Sequence, residues 1–184
     1  MNNYRYQTNR PEHSSANFEV VFHHALYKGK KLSRNKRRHS EFASWLNDNS
    51  VKYIDISGSA ENLINYYSEV DLHVGYRVHA HIFMSSIKKM SLLFSEDGRA
   101  KGCRSAISGM VVDGYLGYKT NAMSKVLNKL IKTYDRYEAN PFSTKEAIEM
   151  IDYEVKSKGQ RSKLARQSID QNFLTMKDFL RCLP

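Results

Sequence analysis

The residues best suited to chemistry lie in one short stretch, Asp71 to Phe83 (DLHVGYRVHAHIF). Arg77 offers a planar, permanently charged fork that matches phosphate or carboxylate, and His79 can exchange a proton near neutral pH. Residues two apart point to opposite sides of a regular helix, so Arg77 and His79 share a ligand only where the backbone is not yet helical. Gly75 permits that by letting the chain turn sharply just before them. The alternative is that Arg77 caps a sheet edge while His79 and His81 are ordinary core or surface histidines. A second polar stretch, Ser95 to Gly102 (SEDGRAKG), carries Glu96, Asp97, Arg99 and Lys101 on one loop. Such a loop either binds a ligand or satisfies itself through ion pairs. His73, His79 and His81 have the spacing of metal ligands along an extended strand. The segment reads instead as turn and helix, and no Asp, Glu or Cys completes a set, so no metal site is expected.

These positions are useful only if strands deliver them to one edge. Phe18 to His23 (FEVVFH) is β-branched and aromatic and predicts a buried strand, which runs into His23 and His24. A helix follows from about Ser33, an N-cap candidate, to Asn49, with Phe42, Trp45 and Leu46 at helical spacing. Val51 to Ile56 predicts a second strand, Ser57 to Ser59 a turn, and Leu63, Ile64 and Tyr67 one face of a short helix. Asp71 to Val74 is a third strand, Tyr76 to Lys88 a helix and Ser91 to Phe94 a fourth strand. This alternation predicts an α/β, Rossmann-like parallel sheet of four to six strands with helices on both faces. Ligands of such sheets collect outside the carboxyl ends of the strands, where helix N-termini favour anions. There the sequence places His23, His24, Ser57 to Ser59, Gly75 to His79 and Glu96 to Lys101. An anionic ligand is expected.

Beyond Ser108 the alternation stops. GMVVDGYLGYKT holds one short strand and a glycine-rich turn, and the rest is helical. Met123, Val126, Leu127, Leu130, Ile131 and Tyr134 recur three and four apart. Another helix opens after Pro141 with a capping box from Ser143 to Glu146, and carries Ile148, Ile151 and Val155. Gly159 separates it from a last helix with the stripe Ile169, Phe173, Met176 and Leu180. All three stripes are expected to be core. The organisation expected is a flexible leader over 1–16, a sheet domain over 17–118 and a helical extension over 119–184 packed on it.

With 184 residues, 41% of them hydrophobic, 11% aromatic and only 3 Pro, the chain can bury a real core, which excludes disorder throughout. No run approaches the roughly 18 apolar residues needed to span a bilayer, and no secretory leader is visible. A soluble, cytoplasmic protein is expected. Cys103 and Cys182 lie far apart without metal-ligand spacing and read as reduced packing residues. The net charge is +10, and seven positive residues fall between Lys28 and Arg38. That local run suits an anionic partner such as nucleic acid, a lipid surface, an acidic saccharide or a phosphorylated substrate, or is simply a solvated helix start.

The stretches Asp71 to Phe83 and Ser91 to Gly102 resemble the polysaccharide pyruvyl transferase family. In that family's C-terminal half a strand ends in an Asp-apolar-x-apolar-Gly pattern and Arg-apolar-His opens a helix. A strand and an Asp-x-Arg or Asp-x-x-Lys loop follow. Asp71, Gly75, Arg77 and His79 match the first part, and Asp97 and Arg99 the second. The likeness is strong over 51–102 and faint over 16–118. It implies the C-terminal domain of a two-domain, GT-B-like enzyme that transfers the enolpyruvyl part of phosphoenolpyruvate to a sugar as a ketal, with no cofactor. Arg77 would clamp the donor anion and His79 would act as acid or base. Gly75, Glu96, Asp97, Arg99, Lys101 and His23 would complete the substrate site. The acceptor implied is a saccharide or lipid-linked oligosaccharide of the cell surface, met in the cytoplasm or at the inner face of the membrane. The family's N-terminal domain has no counterpart here, which leaves a fragment, a shortened product, or a half that pairs with another chain or a second copy. Two alternatives remain: half of a nucleotide-sugar-dependent glycosyltransferase, and a basic module for nucleic acid or an anionic surface.

Overall fold

The computed structural model of the chain describes residues 17–26, 34–116 and 138–182. Residues up to Leu63 and residues from Ile64 onward form two compact units. In the first, β1 (Val20–Phe22) and β2 (Tyr53–Asp55) pair in parallel, with Val20 opposite Tyr53, and α1 (Arg34–Asp48) links them. Phe22, Ala43 and Leu46 are buried together, with Val20, Leu26, Val51 and Tyr53 packed around them. Phe42 and Trp45 lie outside that core, stacked on each other with centroids 5.9 Å apart. Strand β2 stops at Asp55 because its carboxylate turns the chain, accepting from Ser57 N at 2.9 Å and Leu26 N at 2.8 Å.

Helix α2 (Ala60–Glu69) leads into the second unit, where β3 (Leu72–Gly75), β4 (Met90–Ser95) and β5 (Met110–Asp113) form a parallel sheet in that order. Its crossovers are α3 (Val78–Ser86) and α4 (Gly98–Ile107). Period-two alternation sorts the strand residues between two layers. Leu93 and Val111 pack against Ala100, Cys103 and Ile107 of α4, together with Val78 and Ile169. Leu92, Met110 and Val112 pack on the opposite side against Ala147, Met150 and Ile151 of α5 (Ser143–Lys156). Each fully buried Leu or Val contributes about 1.5–3 kcal/mol, so this three-layer stack holds the unit together. A short antiparallel pair, β6 (Tyr115–Leu116) and β7 (Glu138–Ala139), lies between β5 and α5 in the chain.

The last helix, α6 (Gln160–Arg181), packs on α3 and α4, so α5 and α6 serve opposite faces of the sheet. Gly159 separates them in the left-handed region, at φ +79°. The junction is clasped by Glu154, wholly buried on α5, which accepts from Arg161 N (2.9 Å), Ser162 N (2.8 Å) and Ser162 Oγ (2.6 Å). A carboxylate thus meets the unpaired N–H groups and positive end of a helix.

Parallel sheets flanked by helices follow the sequence pattern, with three corrections. The strands fall into a two-stranded and a three-stranded parallel sheet among the described residues, where one sheet of four to six was expected. The capping box does not form: Ser143 lies inside α5, and Phe142, its N-cap residue, has no side-chain cap bond. Asn140 organises that corner instead, taking Phe142 N on Oδ1 and donating from Nδ2 to Asp113 O. The stripe Phe173, Met176 and Leu180 is exposed, as are Ile148 and Val155. At ~1.5 Å per residue the 22-residue α6 outruns the nine- and ten-residue helices beneath it, and the residues it packs inward include Ser162, Ala165 and Ile169 of its first half. The leader, the Ser33 cap, the helix expected over 123–134 and most of the basic run lie outside the described residues.

Candidate functional site

Strand β3 ends at Gly75, and the chain enters α3 through Tyr76 and Arg77. Arg77 is the N-cap residue, with extended backbone (φ −89°, ψ 105°), while His79 already lies in the first turn. The opposite-face rule of a regular helix therefore does not separate the pair, and both side chains are exposed. No side chain caps α3 and no acidic residue occupies its first turn, so its leading N–H groups face outward with the dipole's positive end. Beside this turn the Tyr76 ring lies 5.4 Å from Phe94 and 6.3 Å from Tyr115, centroid to centroid. Gly114 makes room for it, since a Cβ there would sit 3.1 Å from Tyr76 Cε1 and 3.3 Å from Ser95 O. Burial pushes the Tyr76 phenol above its ordinary value, and Tyr115 and Glu96 add to the shift.

The start of α4 is filled from within. Asp97 Oδ1 accepts from Arg99 N (2.9 Å) and Ala100 N (3.3 Å), and Oδ2 accepts from Arg99 Nε (2.8 Å) and pairs with its terminal nitrogen at 2.6 Å. The Arg99 hydrogen bond holds the Asp97 carboxyl below its ordinary value. Of the two possibilities for this loop, Asp97 and Arg99 take the self-satisfying one, a cap closed by an ion pair. Glu96 and Lys101 beside them are exposed. The structure thus gathers Gly75, Arg77, His79, Glu96, Asp97, Arg99 and Lys101 at the carboxyl ends of β3 and β4, with only α3 presenting an uncapped start. His23 follows β1 in the first unit, next to His24, whose ring stacks on His39 with centroids 5.8 Å apart.

Beneath α3 lies a polar cluster that sequence reasoning missed. His73 on β3 and His81 on α3 are buried, and each places Nδ1 2.8 Å from Ser91 Oγ on β4. Nothing in the local pattern marks Ser91, because the contact arises from the register that sets His73 opposite Ser91. Tyr67 packs edge-on against His73 at 5.4 Å, and burial pushes its phenol up to about 12, with Arg77 acting the other way. Burial also drops His81 to about 4. Its Nε2 has no hydrogen-bond partner among the described residues, and a Cβ at Gly109 would lie 2.6 Å from that atom. His79 stands apart from the other two as an exposed residue, and among the described residues no three His, Cys, Asp or Glu side chains are grouped to hold a metal.

Comparison with protein-family profiles, with curated proteins and with solved structures finds no match. The fold and site define an α/β protein of parallel sheets flanked by helices, with an uncapped, arginine-flanked helix start at the strand ends. Among the described residues no helix is long and apolar enough to cross a membrane.

Proposed function

We propose that this chain is the donor-binding half of a transferase resembling the polysaccharide pyruvyl transferases, with the C-terminal domain architecture of a GT-B-like enzyme, and that phosphoenolpyruvate binds at the start of α3. The observation that carries this is the contrast between two neighbouring helix starts: Asp97 caps that of α4, and among the described residues no side chain caps that of α3, where Arg77 and His79 are exposed. Free N–H groups, a helix dipole and a guanidinium form a receptor for a carboxylate or phosphate. Ketal formation adds a proton to the donor's terminal methylene carbon, joins two sugar hydroxyl oxygens to the carbon that bore phosphate, and releases inorganic phosphate with the second hydroxyl proton. Arg77 would neutralise the donor's charge as phosphate leaves, and His79 would carry a proton between hydroxyl and carbon. The acceptor would be a saccharide or lipid-linked oligosaccharide, met in the cytoplasm or at the membrane's inner face, with a second half-domain or another copy closing the site against water.

Calorimetric titration of phosphoenolpyruvate into the wild-type chain and Arg77→Ala, at two salt concentrations, tests the reading. Loss of one charged hydrogen-bond partner, worth about 1.5–3 kcal/mol, predicts affinity about 10- to 100-fold weaker in the variant. Equal binding by both proteins would refute it. Saturable binding of a nucleotide sugar in preference to phosphoenolpyruvate would move the assignment to a glycosyltransferase. Steeply salt-dependent binding to a polyanion that ignores Arg77→Ala would move it to the basic run.

A further inference from the structure

We propose that His73, Ser91 and His81 are a positioning set for the start of α3: two neutral imidazoles bridged by one hydroxyl hold α3 on β3 and β4, and acid releases it. The inference rests on the proposed function only for the identity of the ligand, since the latch itself is read without one.

The hydroxyl of Ser91 has a single proton to share between two ring nitrogens. It can donate to one Nδ1 and accept from the other, or accept from both, so at least one imidazole carries its proton on Nδ1. The unpartnered Nε2 of His81 shows which. A proton on that atom would be a buried donor pressed against Gly109 with nothing to accept it, whereas a bare lone pair costs less there. His81 therefore carries its proton on Nδ1 and donates to Ser91 Oγ. Ser91 keeps its own proton, which can be donated to Nδ1 of His73 at 2.8 Å. One extra proton breaks the arrangement in either place. On His81 it creates a buried charge and an orphaned N–H, and on His73 it removes the ring nitrogen that accepts the Ser91 proton.

The cluster bears directly on the anion-binding turn. His81 N donates to Arg77 O at 3.0 Å, so the backbone of the buried imidazole closes the first turn that Arg77 opens. His73 stands two residues before Gly75 on the strand that delivers the same turn. The titratable and charged groups on the surrounding elements are Tyr67 from α2, Arg77 at the head of α3, Cys103 in the α4 layer, and Arg166 of α6. Arg166 donates to Ser86 O at the far end of α3 and is ion-paired with Asp170, near Lys88. From β4 the contact is Ser91 itself, an uncharged group.

The test is amide hydrogen exchange of residues 78–86 in the full chain at pH 7.5 and pH 5.0, corrected for intrinsic exchange. With His81 at about 4 when closed and about 6.5 when open, opening should rise about thirtyfold over that interval. His81→Met removes the titrating ring and should abolish most of that rise. Ser91→Ala should raise exchange at pH 7.5 by roughly fivefold, the equivalent of one lost hydrogen bond. The same rise in wild type and His81→Met would overturn the proposal. Imidazole nitrogen resonances of the wild-type protein decide the case without a variant: a neutral His81 with its proton on Nδ1 at pH 7.5 and 5.0 supports it, and a proton on Nε2, or a His81 ring titrating near 6.5, refutes it. Phosphoenolpyruvate affinity should fall more between pH 7.5 and 5.0 in wild type than in His81→Met, a ratio in which the ligand's own ionisation cancels. An equal fall in both refutes the link to the ligand. Absence of binding at either pH would sink the proposed function, while exchange and resonances still decide the latch.

Discussion

Gly109→Ala isolates the shortest approach that an added Cβ would meet among the described glycines. Gly109 is not in the left-handed region, so alanine meets no backbone strain there. What it meets is the His81 ring, with Nε2 at 2.6 Å and Cε1 at 3.1 Å from the new methyl carbon. That ring is fully buried and bonded to Ser91, so it cannot swing away cheaply. Overpacking of this kind costs about 1–3 kcal/mol, and displacing the ring loses a hydrogen bond worth about 1 kcal/mol. Replacing glycine stiffens the unfolded chain and returns about 0.4–1 kcal/mol. A net loss of about 2 kcal/mol lowers Tm by roughly 4–8 °C for a chain of this size. Thermal unfolding followed by far-ultraviolet circular dichroism measures it. The control is the same substitution in a His81→Ala background, where the methyl enters vacated space and should be neutral or stabilising by up to ~1 kcal/mol. An equal cost in both backgrounds would refute the contact as the cause.

Two further substitutions probe the frame. Glu154→Ala removes the acceptor of three bonds at the start of α6 and should cost about 2–3 kcal/mol in urea unfolding, with Glu154→Gln losing less because its amide oxygen still accepts. A loss below about 0.5 kcal/mol for the alanine would show that the clasp is dispensable. Gly102 lies within α4 with nothing within 4 Å of an added Cβ, so Gly102→Ala should stabilise by about 0.5–1 kcal/mol, and a destabilised protein in the same assay would contradict the open surface described there.

The crossover architecture was legible because its punctuation is local. β-Branched runs mark the strands and Gly75 breaks β3, whereas the stretch read as a loop, Glu96 to Lys101, opens helix α4 under an Asp97 cap that was not anticipated. A helix after Gly75 was legible for the same reason, but its start was read two residues early, at Tyr76, where the structure makes Arg77 the N-cap residue of a helix that begins at Val78. Ser91 was not, since its two partners come from another strand and from a helix, and strand register decides the contact. The apolar stripe of α6 misled because periodicity reports one face of a helix and is silent on how far the neighbouring helices extend. At Ser143 a local motif lost to Asn140, whose bond to Asp113 O comes from 27 residues away.

The Glu154 clasp makes the end of the chain answerable for its middle. Helices α5 and α6 cover opposite faces of one sheet, so a bond between them ties the two layers across the sheet's thickness. Peeling α6 away would take all three donors from the Glu154 carboxylate and loosen the end of α5, which covers Leu92 and Val112 on the far side. The two helices therefore open as one cooperative unit, and a truncation anywhere between Lys156 and Ser162 is felt on both faces of the sheet at once.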